Sequence, residues 1–231
     1  MKKENINKIF QSVASKYDLM NDLMSFGLHR NWKKKFVNLI ELNLKKNIIL
    51  DLGCGTGDIF YEIMKKPFLN NNYLACLADP NIEMMNCGIK KLKSKNLVWL
   101  ASYGEKLPFK NNKFDLVTMS FSLRNVENIH ITLNEINRVL KKNGQFHCLE
   151  FGKVNNLAIN TIYKIYSDNF IPMIGKKVTG NKEAYEYLIE SIKKFPSQEE
   201  IYKLLKLKKF YKIKYYNLNF GIAVIYSCKK K

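Results

Sequence analysis

An apolar run that ends in a glycine-rich turn constrains the fold of this chain more than any other stretch. Residues 48–52 read Ile-Ile-Leu-Asp-Leu, and glycines spaced two apart follow at Gly53, Gly55 and Gly57. The run predicts a buried parallel strand, and the helical spacing of the apolar residues in 58–64 predicts a helix after the turn. Because glycine adopts positive φ and carries no Cβ, a ligand can approach the backbone of such a turn closely. We therefore expect a small anionic or nucleotide-like ligand there.

The spacing of the glycines narrows the choice of ligand. The pattern is G-x-G-x-G followed by Asp58, whereas dinucleotide sites use G-x-G-x-x-G and phosphate-binding P-loops end in G-K-[ST]. A pyrophosphate beside Asp58 would be repelled, and residues 53–58 contain no Lys or Arg to offset that repulsion. An amino-acid end suits the turn better, because its ammonium can face a carboxylate and its carboxylate can face backbone N–H groups. S-adenosylmethionine carries such an end beside an adenosine.

A second acid, Asp79, follows the strand predicted over residues 73–78. A doubly wound fold places at this position the carboxylate that binds ribose hydroxyls. The alternative is that Asp79 and Pro80 cap the next helix, since both residue types favour turns and caps. Because the glycine turn lies one strand–helix unit upstream, we favour ribose binding.

Length and composition fit one globular domain without a metal or a disulfide framework. The chain has 231 residues, 46% of them hydrophobic, and no apolar run approaches the ~18 residues of a membrane span. Its cysteines form no C-x-x-C pair and its histidines show no ligand spacing. We therefore expect a reducing compartment and no metal.

The formal net charge of +19 allows several interpretations. A biased genome composition would produce the same excess of Lys and Asn without a functional meaning. Attraction to an anionic membrane surface is the next possibility, ahead of RNA. We therefore expect no nucleic-acid partner.

The order of predicted elements indicates an α/β, doubly wound fold. Strands predicted at 48–52, 73–78, 97–100, 114–120 and 145–151 alternate with helices such as 81–93 and 129–140, which predicts a mostly parallel sheet. Asn143 and Gly144 are expected to end the second of these helices. Residues 211–217 and 221–228 are too close for a crossover helix and must pair antiparallel. The result is a Rossmann-like, seven-stranded sheet with an antiparallel C-terminal hairpin, the arrangement of class I methyltransferases.

We expect a single domain over residues 1–231. Residues 1–45 are predicted to form an N-terminal helical cap or lid that contains a helix over 31–42, with its inward side chains at Trp32, Phe36, Leu39 and Ile40. Residues 46–231 are predicted to form the core, with inserted helices at about 157–208.

Several stretches resemble a known family. Residues 10–18, 20–25 and 29–33 are similar to the N-terminal signature of the ubiquinone/menaquinone biosynthesis C-methyltransferases, and residues 185–196 are similar to their second signature. Residues 120–126, Ser-Phe-Ser-Leu-Arg-Asn-Val, resemble the family's loop after the fourth strand. The resemblance implies transfer of a methyl group from S-adenosylmethionine to a ring carbon of a polyprenylated benzoquinol, a demethylmenaquinol or both.

The glycine turn and the resemblance together give the candidate cofactor site. Its residues are Asp51, Gly53, Gly55, Thr56, Gly57, Asp79, Tyr103, Gly104 and Ser120. Tyr103 stands where the family usually has Asn or Asp. Ring stacking or a backbone contact is therefore expected to replace a side-chain hydrogen bond to adenine.

Methylation of a ring carbon requires a quinol hydroxyl to lose or share its proton. Arg124 cannot be the base at neutral pH, but it can stabilise a phenolate or orient a water, the role that the resemblance implies for it. The alternative is that Arg124 pairs with a helix carboxylate such as Glu127. His29 is the alternative proton acceptor, and Tyr17 could hydrogen-bond a quinol oxygen. Both residues could equally pack or cap within the N-terminal helices.

Asn125 and Phe121 complete the candidate substrate contacts. The polyprenyl tail needs an apolar trough, for which Phe121 is a candidate together with Phe10, Phe26, Phe170 and Ile171. Core packing accounts for aromatic residues more often than a ligand does. The tail site is therefore the less constrained part of the prediction.

A prenylated substrate predicts peripheral association with the inner face of a quinone-containing membrane from a bacterial cytoplasm. The alternative location is the matrix side of the mitochondrial inner membrane. Other quinone-biosynthesis enzymes and a second copy of the chain are further candidate partners. Two other functions stay open: methyl transfer to another small-molecule or lipid acceptor, and an RNA- or membrane-binding module without turnover.

Overall fold

A computed structural model describes residues 21–22, 25, 27–42, 47–67, 69, 72–154 and 182–231. Its helices are α1 (Leu28–Asn38), α2 (Asp58–Met64), α3 (Ile82–Lys91), α4 (Ile129–Val139), α5 (Lys182–Lys194) and α6 (Gln198–Leu207). Its strands are β1 (Asn47–Leu52), β2 (Tyr73–Asp79), β3 (Leu97–Ala101), β4 (Phe114–Ser120), β5 (Leu140–Phe151), β6 (Phe210–Leu218) and β7 (Ala223–Lys230). Short 3₁₀ turns lie at Leu123–Asn125 and Asn219–Gly221.

The strands form one sheet in the order β3-β2-β1-β4-β5-β7-β6. Strands β1 to β5 pair in parallel, and β7 pairs antiparallel with both β5 and β6. This arrangement confirms the predicted seven-stranded, mostly parallel sheet with an antiparallel C-terminal hairpin. The chain order reverses between β1 and β4, and doubly wound folds bind their ligands at the carboxyl ends of the strands beside such a reversal.

Both faces of the sheet are covered, as the consecutive apolar residues 48–50 of β1 require. Ile49 packs in one core cluster with Trp32 and Phe36 of α1, which accounts for the inward face predicted for that helix. Leu50, which points to the opposite face, packs in a second cluster with Leu133 of α4. Alternate residues of one strand therefore anchor the helices on the two sides.

Helix boundaries are where the sequence prediction was least accurate. Helix α1 begins at Leu28, directly after Gly27 with φ 73°, and ends at Asn38, so it lies a few residues before the predicted 31–42. Helix α4 ends at Val139, and the chain becomes extended at Leu140, which already pairs with Phe114. The Asn143–Gly144 turn is therefore a bend inside β5, with Asn143 at φ 64°, and not the end of a helix.

The domain prediction extends beyond the described residues. Most of the predicted N-terminal cap and a large part of the segment at about 157–208 lie outside them, and α5 and α6 are the described elements of that segment. No helix within the described ranges is long and apolar enough to cross a membrane.

Candidate functional site

The glycine turn leaves β1 at the carboxyl edge of the sheet and leads into α2. Gly53 has φ 67°, and a Cβ on it would lie 2.4 Å from the Cβ of Ser122. Gly55 has φ 53°, and the nearest atom to a Cβ there would be the flexible end of Met84 at 3.2 Å. The first glycine therefore allows the loop after β4 to pack closely, and the second keeps the backbone open toward a cavity.

Asp79 lies at the end of β2, against the turn. Its Oδ2 accepts a hydrogen bond from the Gly55 N–H at 2.8 Å, and its Oδ1 accepts one from the Asn81 N–H at 2.8 Å. Burial raises the pKa of Asp79 to about 6, although both backbone donors act in the opposite direction. The N-cap of α3 is Asn81, whose side chain accepts from the Met84 N–H. Each Asp79 oxygen thus keeps acceptor capacity for a ligand.

A cavity of about 110 Å³, here the turn cavity, brings most of the predicted site residues together. Predicted residues that line it are Gly53, Gly55, Asp79, Tyr103, Gly104, Ser120, Phe121 and Asn125. Tyr103 is 41% exposed, so its ring is accessible at the wall. Gly104 lets the chain approach Thr132, whose Cγ2 would lie 3.0 Å from an added Cβ.

A smaller cleft, here the rear cleft, lies around the same turn. Asp51 and Thr56 line it together with Asp58, Ser120 and Lys33 of α1. The Asp51 Oδ1 accepts a hydrogen bond from the Thr118 hydroxyl at 2.8 Å, while its buried Oδ2 and the buried Ser120 Oγ have no partner within the described structure. Burial raises the pKa of Asp51 to about 7, and the nearby carboxylates of Asp79 and Asp58 add to the rise.

Two further contacts define the rear cleft. The Lys33 Nζ donates to the Asp58 Oδ2 at 3.0 Å, and the Thr56 hydroxyl donates to the Asp58 Oδ1 at 3.1 Å. Gly57, with φ 80°, precedes the first residue of α2 and lines neither opening. The lining of the rear cleft therefore combines two carboxyl groups, those of Asp51 and Asp58, with the ammonium group of Lys33, a pattern complementary to an amino-acid zwitterion.

Arg124 lies outside both openings and is buried. Its Nη1 donates to the Glu150 Oε1 at 2.7 Å and to the Phe121 carbonyl. Its ion-pair partner is thus Glu150 at the end of β5, and the suggested pairing with Glu127 is wrong, because the 3₁₀ turn after β4 directs the side chain inward toward the sheet.

Arg124 and Asn125 both line a third opening of about 460 Å³, here the loop cavity, between the loop after β4 and α5. The Asn125 Nδ2 donates to the Phe121 carbonyl at 3.3 Å, and its Oδ1 accepts from the Tyr187 hydroxyl at 3.0 Å. Asn125 also lines the turn cavity. It therefore stands in the wall that the two cavities share.

His29 lines none of these three openings. Its Nε2 lies 2.8 Å from the Asp22 Oδ1, and its Nδ1 is buried without a partner in the described part of the chain. Burial lowers the pKa of His29, and the ammonium of Lys33 lowers it further. Tyr17 lies outside the described residues, as do Phe10, Phe26, Phe170 and Ile171.

A family model decides the identification. The model of the ubiE/COQ5 methyltransferase family matches residues 1–230. The chain belongs to this family. One relative is the ubiquinone/menaquinone biosynthesis C-methyltransferase of Rickettsia bellii (strain OSU 85-389), 47% identical over 99% of this chain and 94% of the relative. The protein of the same name from Rickettsia prowazekii (strain Madrid E) is 48% identical over 97% of this chain and 92% of the relative.

Solved structures agree with this family at the level of the fold. A SAM-dependent methyltransferase from Thermotoga maritima, described as a possible histamine N-methyltransferase, has a TM-score of 0.69 and 18% identity and covers 98% of this chain and 100% of its own. The chain is thus a methyltransferase with a class I fold, and its family and fold are those of S-adenosylmethionine-dependent enzymes.

Reasoning from the sequence missed three residues that line these openings or contact predicted site residues. They are Lys33 in the rear cleft, Glu150 behind Arg124, and Tyr187 against Asn125. Lys33 and Tyr187 fall within the family signatures, so a residue-by-residue inspection of those stretches could have selected them. No sequence motif around Glu150 indicates a role, because what distinguishes this acid at the end of a strand is its burial, which only the structure shows.

Proposed function

We propose that this chain methylates a ring carbon of a polyprenylated benzoquinol, of a demethylmenaquinol or of both, with S-adenosylmethionine as the methyl donor. The observation that carries the proposal is the shared wall at Asn125, which joins a cavity built on the glycine turn to a cavity that contains a buried arginine. The names of the Rickettsia relatives support the substrate class.

The described residues fit the proposed donor. Asp79 has acceptor capacity for ribose hydroxyls, and Tyr103 and Gly104 would flank the adenine. Asp51 Oδ2 and Ser120 Oγ are buried polar atoms that lack a partner among the described residues, and leaving such atoms without a partner is costly unless a ligand satisfies them. We infer that Asp51 faces the ammonium group of the methionine part. When bound, S-adenosylmethionine supplies an electrophilic methyl group.

The loop after β4 acts on the acceptor in this proposal. The ring carbon becomes nucleophilic when the quinol hydroxyl loses or shares its proton, and Arg124 stays protonated while it stabilises the resulting oxyanion. Asn125, fixed by Tyr187, would orient the ring at the wall between the cavities. In this proposal the proton passes to a water, since His29 is paired with Asp22 and lines neither the turn cavity nor the loop cavity.

Quinone profiling by mass spectrometry tests this function. A bacterial strain that lacks its own enzyme accumulates the demethylated quinone, and expression of this chain should restore the methylated one. Asp79→Ala, which removes the proposed ribose contact, should fail to restore it at equal protein level. No methylated benzoquinone or naphthoquinone on expression of the wild-type chain would contradict the proposal.

We further propose that the enzyme works peripherally at the inner face of a quinone-containing bacterial membrane. The apolar tail of the substrate and the net charge of +19 support this location. Flotation with anionic vesicles should exceed flotation with neutral vesicles several-fold at low salt. Equal binding to both kinds of vesicle would mean that the lysine excess reflects genome composition, and the charge would then no longer support the membrane location.

A further inference from the structure

Arginine is rare in this chain. Of the 39 basic residues, the arginines are Arg30, Arg124 and Arg138. A guanidinium offers a planar fork of donors that an ammonium cannot reproduce. What each fork binds is therefore informative.

Arg30 and Arg138 use the same edge of the fork. Nε and Nη2 of Arg30 donate to the two oxygens of Asp22 at 2.9 and 2.6 Å. Nε and Nη2 of Arg138 donate to the two oxygens of Glu135 at 2.6 and 2.8 Å. In both cases this edge holds a carboxylate in the bidentate geometry that favours arginine.

The same edge of Arg124 has no hydrogen-bond partner among the described residues. Nη1 makes the hydrogen bonds of this guanidinium to the described residues, to Glu150 and to the Phe121 carbonyl. The buried Nε of Arg124 has no partner among the described residues, and its hydrogen bonds to described side-chain and carbonyl acceptors come from Nη1 and not from Nη2. The side chain is 3% exposed and lines the loop cavity. A buried N–H group of a charged side chain that lacks a hydrogen-bond acceptor costs free energy, unless a ligand supplies an oxygen that accepts the bond.

Glu150 fixes the orientation of this arginine. It is fully buried, its Oε1 accepts from the Arg124 Nη1 and the Phe151 N–H, and its Oε2 accepts from the Arg124 backbone N–H at 3.2 Å. The Phe151 ring lies 5.2 Å from the guanidinium carbon. One carboxylate therefore holds both the main chain and the side chain of Arg124.

We propose that Glu150 is a positioning residue that holds the Nε–Nη2 edge of Arg124 toward the loop cavity, where this edge receives the quinol oxygen as it becomes a phenolate. The inference rests on the proposed function. The phenolic proton passes to water, and Arg124 remains a cation that donates two hydrogen bonds to the oxyanion or to the oxyanion and a water.

A mutant cycle on methyl transfer tests the assignment. Glu150→Gln keeps the shape and removes the charge, so we expect kcat to fall about 10- to 100-fold, the size of a small misplacement, with the S-adenosylmethionine Kd within twofold. In the Arg124→Ala background, Glu150→Gln should cause no further loss of kcat. The double variant leaves no buried charge unpaired, so it keeps the cycle measurable if Arg124→Ala alone unfolds. Glu135→Gln, which removes the partner of Arg138, is the matched control and should leave kcat unchanged.

Arginine side-chain NMR gives a readout independent of activity. The Nε–H signal of Arg124, assigned by its loss in Arg124→Lys, should exchange slowly in the wild type and quickly in Glu150→Gln. A water-soluble, short-chain benzoquinol should shift this signal and leave those of Arg30 and Arg138 in place.

Two results with the single variant would each overturn the positioning role: a kcat of Glu150→Gln within twofold of wild type, or an Arg124 signal that Glu150→Gln does not change. Losses that add in the double variant would also exclude action through Arg124. If the wild type methylates no quinol, the proposed function fails. The NMR comparison then still decides whether Glu150 orients Arg124.

Discussion

Asp51 gives the sharpest prediction, because burial disfavours its negative charge, whereas pairing with the ammonium group of S-adenosylmethionine would require that charge. Its pKa rises from the ordinary 3.8 to about 7, so the folded state binds its proton more tightly than the unfolded state does. The stability that this provides is full below about pH 4 and is lost as the pH rises through 7. At about 1.4 kcal/mol per pKa unit, the loss is about 4 kcal/mol, of which about 3 kcal/mol falls between pH 5 and pH 8.

Asp51→Asn removes this titration and keeps the shape. In urea unfolding without ligand, the variant should therefore gain about 3 kcal/mol relative to wild type between pH 5 and pH 8. Thr118→Val is the matched control. The Thr118 hydroxyl lowers the pKa of Asp51, so its removal should keep the loss of stability and extend it to higher pH.

Ligand binding should depend on the same proton. If Asp51 faces an ammonium group, wild-type affinity for S-adenosylmethionine should fall up to about tenfold per pH unit below pH 7. Calorimetry at pH 6 in buffers of different ionisation enthalpy should show proton release, and Asp51→Asn should bind more weakly and release fewer protons. The reasoning would be refuted if stability and S-adenosylmethionine affinity changed with pH in Asp51→Asn in the same way as in the wild type.

Three further predictions concern the turn and the loop. Asp79→Ala should weaken S-adenosylmethionine binding about tenfold or more through lost ribose hydrogen bonds, and calorimetry that shows wild-type affinity in a folded variant would remove Asp79 from the site. Gly55→Val should also weaken binding, because it strains a residue at φ 53° and places a side chain against the turn cavity; an unchanged ligand-induced rise in Tm would contradict this. Arg124→Lys should lower kcat about tenfold or more with little change in cofactor Kd, since one ammonium cannot replace the fork; loss of cofactor binding instead would make Arg124 a structural residue.

The position of Asp79 against the glycine turn could be predicted from the sequence because local rules determine it. Parallel strands place their carboxyl ends at one edge, so the turn after β1 and Asp79 after β2 had to meet there. The contacts of Arg124 and Asn125 depend on partners far apart in the chain: Arg124 and Glu150 are 26 residues apart, and Asn125 and Tyr187 are 62 apart. No periodicity links such pairs. The Asn143–Gly144 prediction failed for another reason, since the same residues serve helix ends and bends within strands.

Phe121 connects the turn cavity to the loop that carries Arg124 and Asn125, and no sequence pattern predicted its backbone conformation. It is a buried aromatic residue at φ 52°, a region that costs about 1–2 kcal/mol for a residue with a Cβ. Its N–H donates to the Leu149 carbonyl at 2.7 Å, and its own carbonyl accepts from both Arg124 and Asn125. Its ring centroid lies 4.8 Å from that of Phe151, and the Arg124 guanidinium lies over the Phe151 ring. These contacts offset the strain, and they turn the chain so that the loop that carries Arg124 and Asn125 begins at the wall of the turn cavity. The left-handed residue therefore positions Arg124 and Asn125 relative to the turn cavity, although its own side chain carries no reactive group.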